Sequence, residues 1–159
     1  MVSLLVHAIL GIAVIAFVVK SNPAIFRRMS IGPQLSKLEI AYWAIGIVSL
    51  PLCWYFNIRY VNEYAPNPMI GQPNWSEFIA LGYANPASSS QVLDYTIINV
   101  ILLPLFTIVD GYRRGIRRPW LFFVSSLFTS CAFAFAFYFA TIERQRRHER
   151  TASPAESVA

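Results

Sequence analysis

Apolar and polar positions in this chain are sorted into long blocks instead of alternating over a few residues. Four runs, 2–19, 40–58, 92–109 and 120–142, have interiors free of charge, and the charged residues collect at their ends and between them. At ~1.5 Å of rise per residue, the first run as a helix covers roughly 27 Å, close to the ~30 Å hydrocarbon thickness of a bilayer. The pattern predicts an all-α integral membrane protein. It would be one domain over residues 1–150, with four transmembrane helices and a long extracytoplasmic loop between the second and third.

The blocks differ in detail. In the first, Lys20, Arg27 and Arg28 follow the apolar core, the reverse of a cleavable leader, which predicts a retained helix. The second carries Gly46 and Pro51 and is flanked by Tyr42, Trp43, Trp54, Tyr55 and Tyr60. Those aromatics suit a membrane interface, and the proline predicts a kink shielded by a neighbouring helix. The loop at 59–91 is rich in Pro, Asn and Ser. Within it Trp75, Phe78, Ile79 and Leu81 recur at near-helical spacing, predicting a short amphipathic helix lying on the membrane surface that Asn85-Pro86 would end. In the fourth run the Ala-Phe alternation at 132–137 imitates a strand, but a lone strand cannot satisfy its backbone in lipid, so a helix is expected. Ser126, Ser130 and Ala134, and likewise Ala132, Ala136 and Ala140, fall every four residues. Small residues so spaced let another span, or a second copy, approach closely. The tail at 151–159 has no apolar period and is expected to be disordered.

Composition sharpens this picture. Hydrophobic residues make up 56% and charged residues only 13%, too few for a soluble surface. A net charge of +5 would otherwise raise nucleic acid, yet the basic residues flank apolar runs and no nucleic-acid-binding pattern accompanies them. By the bias of Lys and Arg toward the cytoplasm, the basic connections 20–39 and 111–119 belong inside and the loop 59–91 outside. With four spans both termini would lie outside, in conflict with Arg144, Arg146, Arg147 and Arg150. Cys53 and Cys131 sit in apolar runs and form no zinc spacing or disulfide framework, and neither a metal nor a cofactor is expected.

Few residues suggest chemistry. Asp94 and Asp110 lie at opposite ends of the third run, roughly 24 Å apart along a helix, too far to share a proton. Each is expected to cap a helix end or pair with a nearby Arg. Asn99 falls on the azimuth of Asp110, with Leu103 and Phe106 between, and should hydrogen-bond across to another helix or to a ligand in a cleft. His7 stands alone in the first run, where interhelical hydrogen bonding competes with ligation of a pigment or haem metal. Glu63, Glu77 and Asp94 could meet at the outer face as an acid-base pocket, although solvated loop charges are the commoner case.

A longer motif closes the sequence picture. Ala84-Asn85-Pro86, Asp94 opening a span, Phe106, the run Asp110-Gly111-Tyr112-Arg113-Arg114-Gly115-Ile116-Arg117-Arg118-Pro119-Trp120 and then Glu143-Arg144 resemble a family of small polytopic membrane proteins, domain of unknown function 2834. The likeness covers about the C-terminal half. It implies the topology and no activity. Physically, Gly111 and Gly115 permit a tight turn, Pro119 and Trp120 start and anchor a helix, and Arg113, Arg114, Arg117 and Arg118 are placed to meet anionic headgroups. Two roles follow as expectations. The first is a non-enzymatic component associating with itself or with a larger membrane complex. The alternative is an enzyme of lipid, terpenoid or quinone metabolism using Glu63, Asp94 or Asp110.

Overall fold

A computed structural model describes residues 1–70 and 73–152, and within them every regular element is helical. Helix α1 (Val2–Ser21) is followed by a single turn, α2 (Pro23–Phe26), and by α3 (Lys37–Tyr64). The short α4 (Trp75–Leu81) precedes α5 (Pro86–Thr96), which runs through a π-helical turn (Ile97–Leu102) into α6 (Leu103–Arg113). Two further helices, α7 (Trp120–Phe128) and α8 (Cys131–Ala152), complete the chain. Residues 153–159, most of the tail expected to be disordered, lie outside the described residues, and α8 continues to Ala152.

Three helices are long and apolar enough to cross a membrane: Val2–Ser21, Lys37–Tyr64 and the continuous rod Pro86–Arg113. Each outruns its expected apolar block, and polar N-caps extend the second and third. Ser36 starts α3 by accepting a hydrogen bond from the Glu39 amide at 3.0 Å. Asn85, expected to end the short helix, instead caps α5, accepting from the Ser88 amide at 3.0 Å with Pro86 in the first turn. The third block therefore begins six positions earlier than its apolar residues suggest. Pro51 sits inside α3 without dividing it.

The expected fourth crossing is not one helix. It breaks at Thr129, whose backbone leaves helical geometry at φ −121° and ψ −100°, and the two pieces run antiparallel. Phe122 on α7 lies against both Phe137 and Tyr138 on α8, with ring centroids 5.0 and 4.9 Å apart. Further from the break, the Gln145 side chain donates to the Arg114 carbonyl at 2.8 Å, so α8 runs back to the loop that leads into α7. A Ser-Thr-Ser-rich stretch explains the turn: Thr129 and Ser125 hydroxyls bond to local carbonyls, and Ser130 Oγ accepts from the Phe133 amide at 3.0 Å, capping α8. A crossing expected from hydropathy alone is thus a helical hairpin.

In this geometry the basic residues gather at one end. Arg144 donates to the carbonyls of Ile25 and Arg27 at 3.0 and 2.9 Å, so the arginine-rich end of α8 shares one end of the bundle with both basic connections. There Asn22 joins α1 to the 111–119 loop, donating to the Arg117 carbonyl at 3.1 Å and accepting from its amide at 2.8 Å. Among the described residues Arg59 alone of the Lys and Arg side chains belongs to the opposite end, where the Met1 amine meets the Pro68 carbonyl and the Val2 amide donates to Met69 at 3.3 Å.

The hairpin is the core. Phe122, Phe137 and Tyr138 are fully buried among Val18, Ile25, Ile116 and Leu121. Ala134, Ala136 and Ala140 are buried too, so most of the small-residue faces are used inside the chain; Ala132 is exposed. Where α3 packs on α8, a Cβ added to Gly46 would sit 3.1 Å from that of Ala136. By contrast α1, α3 and α6 turn Ile12, Ile45, Leu52 and Leu105 outward, as helices facing lipid do.

Candidate functional site

Beyond the hairpin tip the short α4 packs against both α3 and α1. Tyr60 near the end of α3 donates to the Asn74 carbonyl at 2.6 Å and packs edge-on to Phe78, centroids 4.9 Å apart. Trp75 reaches the ring of His7 on α1 at 5.8 Å. The amphipathic pattern of 75–81 is thereby explained: its aromatic side covers a cleft.

The cleft has two lobes. The deeper, about 560 Å³, is lined by His7, Trp54, Asn57, Trp75 and the hairpin tip from Ser126 to Ser130. The shallower, about 730 Å³, reaches Arg59, Glu63, Tyr64 and Tyr83. Phe56, Phe78, Ile79, Tyr95 and Asn99 line both. The two weak ligand candidates of the sequence, His7 and Asn99, are thus brought to one cavity from helices far apart in the chain.

Asn99 occupies the π turn, where a widened helix carries one residue more per turn and marks functional sites disproportionately. It is 8% exposed. Its Nδ2 donates to the Tyr95 hydroxyl at 3.3 Å, while its Oδ1 has no hydrogen-bond partner among the described residues. A buried acceptor left unbonded costs about 1–3 kcal/mol, so the position is expensive unless something fills it. The π turn also alters the expected stripe. Buried positions along this rod run Asn99, Leu103, Thr107, Gly111, and Phe106 is half exposed.

His7 is oriented by its own helix. Its Nδ1 lies 2.7 Å from the Ser3 carbonyl, which can only accept, so Nδ1 carries the proton and Nε2 keeps its lone pair in the neutral ring. The hydroxyls at the tip are similarly committed. Ser126 donates to Phe123 at 2.8 Å and Thr129 to Ser125 at 2.6 Å. Ser49 donates to Gly46 at 2.7 Å, so in the 2.9 Å pair of Ser49 and Ser130 the proton belongs to Ser130. At the hairpin tip the Ser126 and Thr129 hydroxyls therefore present lone pairs.

The carboxylates are not gathered. Glu63 pairs with Arg59 at 2.8 Å in the open, Glu77 and Asp94 are exposed, and Asp110 sits at the other end of the bundle. Asp110 accepts from Arg114 at 2.6 Å and from the Tyr138 hydroxyl at 2.9 Å, the local pairing its position suggested. That hydrogen bond raises the Arg114 pKa above its ordinary value. Of the four arginines expected at headgroups, Arg113, Arg117 and Arg118 are exposed while Arg114 is turned inward. Arg118 stacks 4.6 Å over Phe17, in a left-handed backbone at φ 56°. No group of three or more His, Cys, Asp or Glu side chains suited to a metal occurs among the described residues.

One buried cluster was invisible in the sequence. Glu39, 1% exposed, pairs with Arg144 at 2.9 Å and Arg147 at 3.0 Å. The arginines also hold the carbonyls of Gln34 and Pro33, so the cluster fastens the first connection to α8. A lone Glu opening an apolar block was the only signal, and its partners lie more than a hundred residues away.

The profile of a family described as a protein of unknown function, DUF2834, matches residues 41–144. The chain belongs to the DUF2834 family. The matched stretch begins inside α3 and ends at Arg144, so it takes in the π turn, the 111–119 loop and the hairpin, and α1 with His7 lies before it. No curated protein and no solved structure matches this DUF2834 member.

Proposed function

We propose that this DUF2834 protein is a multi-pass integral membrane protein, without enzymatic activity of its own, that holds a small apolar molecule in the cleft beneath α4. The chain would cross three times. Its N-terminus and the loop before α5 would lie outside and its three basic clusters inside, with the α7–α8 hairpin entering from the cytoplasmic side and turning back near mid-membrane. Nine residues of α7 rise roughly 14 Å, half the hydrocarbon thickness, which agrees with such a depth. Turns of this kind are tolerated within lipid where they are covered by protein or line a cavity, and this one does both.

The observation that carries the ligand is Asn99: a nine-tenths-buried amide with an unbonded oxygen, set in a π turn between two apolar lobes. Aromatic walls with a few placed polar atoms are the usual makeup of a small-molecule pocket. The carboxylates Glu63, Asp94 and Asp110 are dispersed, so an acid-base enzyme draws no support from the geometry. The test is chemical. Full-length protein purified in mild detergent should carry an extractable apolar molecule, detected by mass spectrometry, in roughly stoichiometric amount, and Asn99→Leu should lose most of it. A folded wild-type protein that yields only bulk lipid and detergent would overturn the proposal.

A further inference from the structure

The polar atoms of the cleft restrict what can fill it. Asn99 offers an unpaired acceptor at Oδ1, while one hydrogen of its Nδ2 goes to the Tyr95 hydroxyl, which accepts it and keeps its own proton. His7 offers another at Nε2, because Nδ1 is held by Ser3. Ser126 and Thr129 have given their protons to backbone carbonyls and keep only lone pairs. The unpaired Asn99 oxygen favours a guest that brings a hydrogen-bond donor and penalises one that cannot, since the acceptor is then desolvated for nothing. The surrounding rings of Trp54, Trp75 and Phe78 favour a flat or chain-like hydrocarbon body.

From this arrangement we infer that the ligand is a hydroxyl-bearing apolar molecule, a phenol or lipidic alcohol, whose hydroxyl donates to Asn99 Oδ1 in the deeper lobe. The inference rests on the ligand-holding role proposed above.

Two probes separate the possibilities, 4-octylphenol and its methyl ether 4-octylanisole, which share a body and differ in the donor. They are titrated against the full-length protein in lipid nanodiscs, with binding read from the fluorescence of the cavity tryptophans. The phenol should bind at least tenfold more tightly than the ether. Asn99→Leu should bring the two within about threefold, and His7→Phe should weaken the phenol by a smaller factor. Equal binding of phenol and ether by the wild-type protein would overturn the donor inference while leaving the cleft a ligand site. Binding of neither would remove the ligand site itself, with water as the partner of Asn99. Should Asn99→Leu fail to fold, Asn99→Asp supplies the second variant: it retains the acceptor and should keep the preference for the phenol, and its loss would count against the inference.

Discussion

At Glu39 the physics of a single buried charge is unusually exposed. Its side chain is 2% accessible and balances two guanidiniums that are themselves nearly covered, Arg144 at 12% and Arg147 at 11%. Removing one partner from such a cluster strands the others, at a cost of about 3–5 kcal/mol, whereas solvated pairs such as Arg59–Glu63 contribute little. Glu39→Gln should therefore lower the thermal unfolding midpoint in detergent markedly, and Glu63→Gln hardly at all. Equal stability of the two variants would show that the arginines find other anions. Gly111 is a second position where one residue decides the packing, since a Cβ there would overlap the ring of Pro119. Together with Gly115 at φ +70° it explains the two glycines of the basic loop, one by close approach and one by backbone hand.

For the elements, the decisive feature is the break between α7 and α8. Ser130 makes it by capping the Phe133 amide and by bonding Ser49 on α3, while Ser126 bonds only within its own turn. Ser130→Ala should cost about 1 kcal/mol in a denaturant titration, the worth of an N-cap, and Ser126→Ala should stay within roughly half of that. A Ser130→Ala protein of unchanged stability would mean that the cap does not hold the turn. The break was not legible from hydropathy. Serine and threonine are tolerated in membrane helices, and their capping geometry appears only once the flanking pieces fold back and bury Phe122 against Phe137. The amphipathic 75–81 helix was legible, since its aromatic spacing is local, but its role as a cover over His7 and Asn99 is set by α1 and α3.

Across the whole molecule, odd and even crossings make opposite demands on the C-terminus. Three crossings place residues near 152 on the side of the basic connections, whereas four place them with the loop at 65–70. In a Cys53→Ser, Cys131→Ala background, a cysteine at Asn67 should react with a membrane-impermeant maleimide applied to intact cells, and one at Ala152 should react only after permeabilisation. Labelling of both from outside would restore the fourth crossing and undo the hairpin as a half-membrane element. The positive-inside bias agrees with the odd count, because every basic cluster then falls on one side.

The sequence by itself determined the helical class, three of its four expected apolar crossings as long helices, the amphipathic segment and the family likeness, because these follow from local hydropathy, period and motif. It also singled out His7 and Asn99 as polar residues out of place in apolar blocks. Only the tertiary structure decided that the last apolar block doubles back, that Glu39 belongs to Arg144 and Arg147, and that His7 and Asn99 line one cavity. Those outcomes depend on contacts between residues tens to a hundred positions apart, and hydropathy measures how apolar a segment is without recording what it packs against.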